Sequence, residues 1–344
     1  MGEAASMVVM RNNAPNSDDD DPKTGSGSGW RTWGNPVEYQ PSQASQVLER
    51  APGEGSSFYW AINPYLGCEF GCIYDTLAPE LAESAGWGEF EHRIGVKVKG
   101  VRTLSEHLRG MAERQDKSLQ GHPVVFGTLS DPWQPVEREQ KLTRSLLERL
   151  AFLPGLDIRA LTRSSLVGRD LDLWGTLART SRVQVAISIS AHDRRLAHLL
   201  EPKAPSPDRR FMAVELLAKQ GVNAGVCVGP LLKGVNDGDE ELGALFQRAS
   251  EVGAKFVCAS ALKLSEPNRE ALLGYLGQLY ADKLGTYRRT YARSHLFDDK
   301  GWSSALDRMG ELAQKHGLSF QPELAGEDPM TEKVGANPKQ LKLF

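Results

Sequence analysis

At 344 residues, with 40% apolar and 25% charged residues, the chain is long enough for one large α/β domain with a full core. A net charge of −3 gives no global pull toward nucleic acid, so any such contact has to come from a local patch. Four cysteines are too few for a disulfide scaffold, no window approaches the roughly 18 apolar residues of a membrane span, and the acidic run Asp18 to Asp21 does not suit a secretion signal. A cytoplasmic protein in a reducing compartment is expected.

Residues 1–34 are polar, acidic and then Gly/Ser-rich, the composition of a disordered segment. Strand and helix patterns alternate after that. Strand-like runs fall at residues 58–63, 124–128, 157–161, 183–189, 224–228 and 256–262, with an extra one at 94–98. Helical periodicity occupies residues 104–112, 142–152, 171–178, 210–220 and 241–252. Asp170 and Asp208 stand where helix N-caps would, and Gly221 and Gly253 fall just past helix ends. Residues 266–322 read as a helical extension and 323–344 as a polar tail. Alternating strands and helices imply a parallel sheet with right-handed crossovers. Six units suit an incomplete barrel or a doubly wound open sheet, and periodicity does not separate the two. In either case chemistry gathers at the C-terminal ends of the strands.

After the first of those runs comes Asn63-Pro-Tyr-Leu-Gly-Cys68-Glu-Phe-Gly-Cys72-Ile-Tyr-Asp75. Two thiols in a glycine-containing loop can wrap a small metal centre, and an isolated pair can equally be structural. Further on stand Gly127-Thr-Leu-Ser-Asp-Pro-Trp-Gln-Pro135, Leu200-Glu-Pro-Lys-Ala-Pro-Ser-Pro207 and Lys233-Gly-Val-Asn-Asp237, with Asn35-Pro-Val-Glu-Tyr39 upstream. Over residues 35–265, in order and in motif, the chain resembles radical S-adenosylmethionine (SAM) enzymes of the spore photoproduct lyase and DNA-repair-photolyase-like group. The resemblance implies a partial (β/α)6 TIM-type barrel, a [4Fe–4S] cluster, SAM and an electron-donating reductant. Reductive cleavage of SAM in that family gives a 5′-deoxyadenosyl radical that abstracts hydrogen.

The resemblance assigns Cys68 and Cys72 to the cluster and departs at Asp75, where the family has a third cysteine. Aspartate keeps the charge of a thiolate but is a harder donor, so a more labile cluster is expected. Three readings stand: Asp75 ligates the third iron, the cluster has been lost, or the replacement is engineered. Cys227 and Cys258 lie in later strands, as small buried hydrophobes or as the source of a missing thiol.

Around SAM the expected residues are Tyr74, Ser130, Asp131, Thr162, Arg163, Ser188, Ser190 and Glu201. Ser130 and Asp131 also suit simple turn chemistry before proline. Related enzymes usually carry lysine at the position matching Arg163; arginine keeps the charge with a longer, planar group. Ser188 and Ser190 share one face of their strand, toward either the lumen or the helices. Glu201 and Lys203 either close the pocket or order their loop. The family's lyase returns a hydrogen atom from a cysteine that has no identifiable counterpart here.

Tyr287, Arg288, Arg289 and Arg293 interleave aromatic and basic residues, suiting nucleic-acid contact or, for the tyrosines, core packing. The terminal Gln340-Leu341-Lys342-Leu343-Phe344 resembles the peptide with which bacterial repair and replication proteins dock on the β sliding clamp. There Gln340 would make polar contacts, and Leu341, Leu343 and Phe344 would be the apolar anchors. The expected function is therefore a radical SAM enzyme acting on DNA or a nucleotide. The alternatives are a clamp-associated protein without a cluster, and a radical SAM enzyme acting on a peptide or small molecule.

Overall fold

The computed structural model describes residues 9–11, 37–50, 60–74, 91–262, 266–291 and 299–321. The strands are β1 (Val9–Arg11), β2 (Val37–Pro41), β3 (Leu48–Arg50), β4 (Trp60–Ile62), β5 (Tyr65–Leu66) and β6 (Arg93–Val96). They continue as β7 (Pro123–Phe126), β8 (Asp157–Thr162), β9 (Arg182–Ser188), β10 (Asn223–Leu231), β11 (Phe256–Ala261) and β12 (Ser319–Gln321). The helices are α1 (Gly100–Glu113), α2 (Ser118–Gly121), α3 (Glu137–Gln140), α4 (Leu142–Leu150), α5 (Leu171–Thr180) and α6 (Arg194–Leu200). After them come α7 (Pro207–Lys219), α8 (Asp239–Glu251), α9 (Glu266–Leu279), α10 (Ala281–Thr290) and α11 (Asp299–Lys315). None of these is long and apolar enough to cross a membrane.

The main sheet runs β12-β11-β10-β9-β8-β7-β4-β3, parallel throughout except for β3, which pairs antiparallel with β4. From β4 to β11 the neighbours follow chain order without reversal. A doubly wound sheet reverses its strand order at a switch point, whereas crossovers of one hand in one direction put every helix on the same face and let the sheet curl. Curling is visible directly. Gln184 on β9 donates to Gln321 on β12 at 2.6 Å, although two strands separate them in the sheet. Side chains standing on a flat sheet three spacings apart would keep their tips roughly 14 Å apart. The architecture is a partial barrel, and the ambiguity left by periodicity is resolved.

The two faces divide the strand residues by alternation. Val185, Ile187 and Ile189 of β9 and its end join Phe211, Val214 and Leu217 of α7 in the large core between sheet and helices. Leu161, Ala186, Cys227, Phe256 and Cys258 form a separate cluster on the lumen face.

Several element boundaries differ from expectation. Val9–Arg11, within the stretch expected to be disordered, pairs antiparallel with Val37–Pro41, because an open sheet edge accepts any extended chain through main-chain bonds. Ser319–Gln321 adds a parallel strand after the expected last one; three residues are too short to show a period. Helix α7 begins at Pro207, a favoured first helical residue, so Asp208 lies inside the first turn and pairs with Arg194 at 2.7 Å. Asp170 does precede α5, but its carboxylate accepts from Trp133 Nε1, Arg144 and Arg169 and not from the helix N–H groups. Gly221 and Gly253 follow their helices in left-handed backbone, as expected.

Candidate functional site

The cysteine loop leaves β4 and is framed from three sides. Its start is β5, which pairs antiparallel with β6 of a smaller four-stranded sheet. On one flank the loop after β7 grips it: Asn63 Oδ1 accepts from Leu129 N at 3.0 Å, and Ser130 Oγ donates to Tyr65 O at 2.8 Å. Gln134 mimics a peptide group, donating to Gly67 O and accepting from Glu69 N, both at 3.0 Å. Glu69 in turn accepts from Val136 N at 2.7 Å and from Tyr39 Oη at 2.8 Å. On the other flank Ile73 N donates to Leu200 O at 3.0 Å and Lys203 N to Phe70 O at 3.3 Å. Gly71 has φ +57°, a left-handed turn that an L side chain adopts only with strain. Cys68 and Cys72 are brought to the barrel mouth buried, and neither is in a disulfide.

Asp131 ties two strand ends together. It accepts from Trp133 N at 2.9 Å, Thr162 Oγ1 at 2.6 Å and Arg163 N at 2.7 Å. Burial raises its carboxyl above the ordinary value in spite of these donors. Ser130, Asp131 and Thr162 thus sit together, with their polar groups engaged within the protein.

Beside Tyr74 lies a buried charged network. Tyr74 Oη donates to Glu201 Oε1, and Arg163 Nε donates to that oxygen at 3.2 Å and to Tyr74 Oη at 3.3 Å. The Arg163 guanidinium lies over the Tyr74 ring, 5.5 Å from its centroid. Glu201 Oε2 pairs with Arg210 Nη1, which also donates to Ser188 O at 3.0 Å. Burial alone would raise the Glu201 carboxyl, but Arg210 and then Arg163 outweigh it and hold the group below the usual range. Burial, above all, pushes the Tyr74 hydroxyl well up.

Ser188 has the strand parity of Ala186 and so faces the lumen, which decides between the two faces that the sequence allowed. Its Oγ reaches Gly229 O at 3.4 Å. Ser190 Oγ is fully buried and has no hydrogen-bond partner among the described residues. A buried hydroxyl left in that state costs about 1–3 kcal/mol, so a polar ligand is the natural complement.

The structure also limits the assignments. Cys227 and Cys258 are register neighbours on β10 and β11, with the Cys258 thiol pushed up first by its hydrogen bond with Cys227 and then by burial. They belong to the lumen cluster, whereas Cys68 and Cys72 belong to another, and among the described residues no group of three His, Cys, Asp or Glu side chains is placed to hold a metal. Asp75 lies outside the described residues, as do Arg293 and the tail residues Gln340, Leu341, Leu343 and Phe344. The chemistry present fits part of a cluster ligand set: two buried thiols in a glycine turn.

Tyr287 corrects an expectation. It is 2% exposed, stacks on Tyr291 with ring centroids 6.0 Å apart, and donates to Lys233 O, so its ring is not available to a base. Helical spacing put both tyrosines on one face, and that face is the buried one. Arg288 and Arg289 remain exposed. Leu272, Leu273 and Leu276 of α9 join these tyrosines, Phe70 and Tyr74 in an apolar roof over the cysteine loop.

Sequence reasoning missed four residues. Gln134, Glu69 and Asn236 all lie inside the quoted motifs, and Arg210 follows one by three positions. Asn236 donates to Ser190 O at 2.8 Å and Pro230 O at 3.0 Å and accepts from Leu232 N at 2.6 Å, fixing the loop after β10 to the end of β9. The signal is the motif itself, whose residues hold the loops in place as well as facing a ligand.

No family model matches the chain. An uncharacterised protein of Mycobacterium tuberculosis is 26% identical over 301 residues, 87% of this chain and 86% of its own length. A protein of Pseudomonas phage M6 named radical SAM Nalpha-GlyT isomerase is 26% identical over 237 residues, 69% of this chain and 45% of its own. Among solved structures, a spore photoproduct lyase mutant matches with a TM-score of 0.55 at 16% identity, over 82% of this chain and 80% of that one. Another, with AdoMet and dinucleoside spore photoproduct bound, matches at 0.54 and 16%, over 79% and 78%. Strand order, sheet curvature and these likenesses agree on the architecture: the chain has the partial-barrel fold of radical SAM enzymes.

Proposed function

We propose that the chain is a radical SAM enzyme that abstracts hydrogen from DNA or a nucleotide. The observation that carries this reading is the placing of two buried thiols, Cys68 and Cys72, next to the Tyr74–Glu201–Arg163 network at the C-terminal mouth of the barrel. When bound, a [4Fe–4S] cluster and SAM supply a 5′-deoxyadenosyl radical, with the electron coming from an external reductant. In this reading Cys68, Cys72 and Asp75 hold the cluster. Arg163 attracts the SAM carboxylate, and the buried Ser190 hydroxyl supplies a hydrogen-bonding group for the ribose. Leu272, Leu276 and Tyr291 in the roof exclude water from the reacting centre.

The nucleic-acid substrate class is supported by the dinucleoside carried by the related lyase structure, with Arg288 and Arg289 as exposed phosphate contacts. Repair of spore photoproduct itself is not part of the proposal. The peptide Gln340 to Phe344 recruits the protein to a sliding clamp.

Anaerobic reconstitution, iron and sulfide analysis, and low-temperature electron paramagnetic resonance with and without SAM test the central reading. A near-stoichiometric cluster whose spectrum shifts with SAM, and which Asp75→Ala abolishes, is expected. A chain that stays folded but colourless would overturn it. Product analysis with oligonucleotide, peptide and small-molecule substrates then tests the substrate class.

A further inference from the structure

Arg210 is 1% exposed and lies in the first turn of α7, where the helix dipole disfavours a cation. A buried ion pair is seldom worth more than well-packed apolar side chains of the same volume, so stability alone gives little reason for it. Its contacts all converge on the site. Nη1 pairs with Glu201 Oε2 and donates to Ser188 O, while Nε donates to Pro205 O at 2.6 Å. The guanidinium thus fastens the end of β9 and the loop of residues 201–206 at one point. The other Glu201 oxygen accepts from Tyr74 Oη and Arg163 Nε.

We propose that Arg210 is a positioning residue of the SAM site: by holding one carboxylate oxygen of Glu201, it turns the other to orient both Tyr74 and Arg163. This rests on the radical SAM reading and deepens it. The groups facing Glu201 are Arg210 from α7, Arg163 from the end of β8 and Tyr74 from the cysteine loop. With Arg210 removed, burial is opposed only by Arg163 and the hydrogen bond from Tyr74, and the carboxyl moves up. Once protonated, Glu201 no longer attracts Arg163, and the cation turns out of register.

The test is anaerobic calorimetry of SAM binding to reconstituted wild-type, Arg210→Met and Glu201→Gln proteins at about pH 6 and about pH 8. Wild-type affinity is expected to be nearly level across the range. Arg210→Met should bind within about threefold of wild type at the higher pH and about tenfold or more below it at the lower. Glu201→Gln should be weak at both, with no slope of its own. If Arg210→Met does not fold, Arg210→Gln, neutral and polar, should give the same slope. A folded variant that matches wild type at both pH values, or loses affinity equally at both, overturns the proposal and leaves Arg210 a structural staple. A wild-type protein that binds no SAM overturns the reading beneath it.

Discussion

A single amide decides much about the cysteine loop. Gln134 satisfies Gly67 O and Glu69 N on either side of Cys68. Gln134→Ala should leave both backbone groups buried without partners, at about 1–3 kcal/mol each, and lower the iron retained per chain. Urea midpoints and iron analysis would check this, and unchanged iron would mean that the loop is held by its other contacts. Glu201 gives a prediction in pH. Its native carboxyl is held below the ordinary value of 4.5, so its stabilising contribution is fully present above that value and is lost as pH falls through the native one. The stability gap between wild type and Glu201→Gln should therefore be widest near neutrality and narrow below about pH 4.5. A gap that stays constant into acid would show that the ionised form is not what stabilises.

At the scale of elements, the site exists because strand ends and loops are stitched sideways. Asp131 joins the loop after β7 to the end of β8, Asn236 joins β9 to the loop after β10, and Arg210 joins α7 to β9. Two glycines separate conformational cost from steric cost. Gly71 has φ +57° and room for a side chain, with the nearest neighbours of an added Cβ at an ordinary contact distance of 3.8 Å. Gly127 also has positive φ, but a Cβ there would run into the Leu161 carbonyl on the next strand. Gly71→Ala should cost about 1 kcal/mol, and Gly127→Ala about 1–3 kcal/mol more because backbone has to move. Denaturant titration of the two variants compares them, and equal costs would mean that β7 and β8 separate easily.

For the whole molecule, the helical extension completes the site instead of standing apart from it. Residues of α9 and α10 roof the cysteine loop, and β12 adds a further parallel strand whose Gln321 reaches across the lumen. The lumen thiols occupy another cluster, so Cys227→Ala and Cys258→Ala proteins should keep full iron content. The tail makes a separate claim: deleting residues 340–344 should abolish micromolar binding to a sliding clamp while leaving thermal stability unchanged. Calorimetry with purified clamp decides it, and undiminished binding by the truncated protein would sink the docking peptide.

Residue order alone sets the alternation of strands and helices, because periods of 2 and 3.6 are local properties of the chain. It also located the motif loops, since Asn63 to Cys72, Ser130 to Gln134 and Lys233 to Asp237 are contiguous runs at strand ends. Tertiary structure alone decided the rest. Barrel against open sheet depends on the order in which strands pair, and the lumen face of Ser188 depends on which neighbours cover Ile187. The burial of Tyr287 depends on the same kind of packing: a helical period names the tyrosine face, but only the fold brings it into one buried cluster with Phe70 and Tyr74. Arg210 was least legible of all. A basic residue in a first helical turn reads as surface, and its partners come from sites as distant in sequence as Ser188, 22 residues away. Charge in a sequence carries no sign of burial until the chain has closed around it.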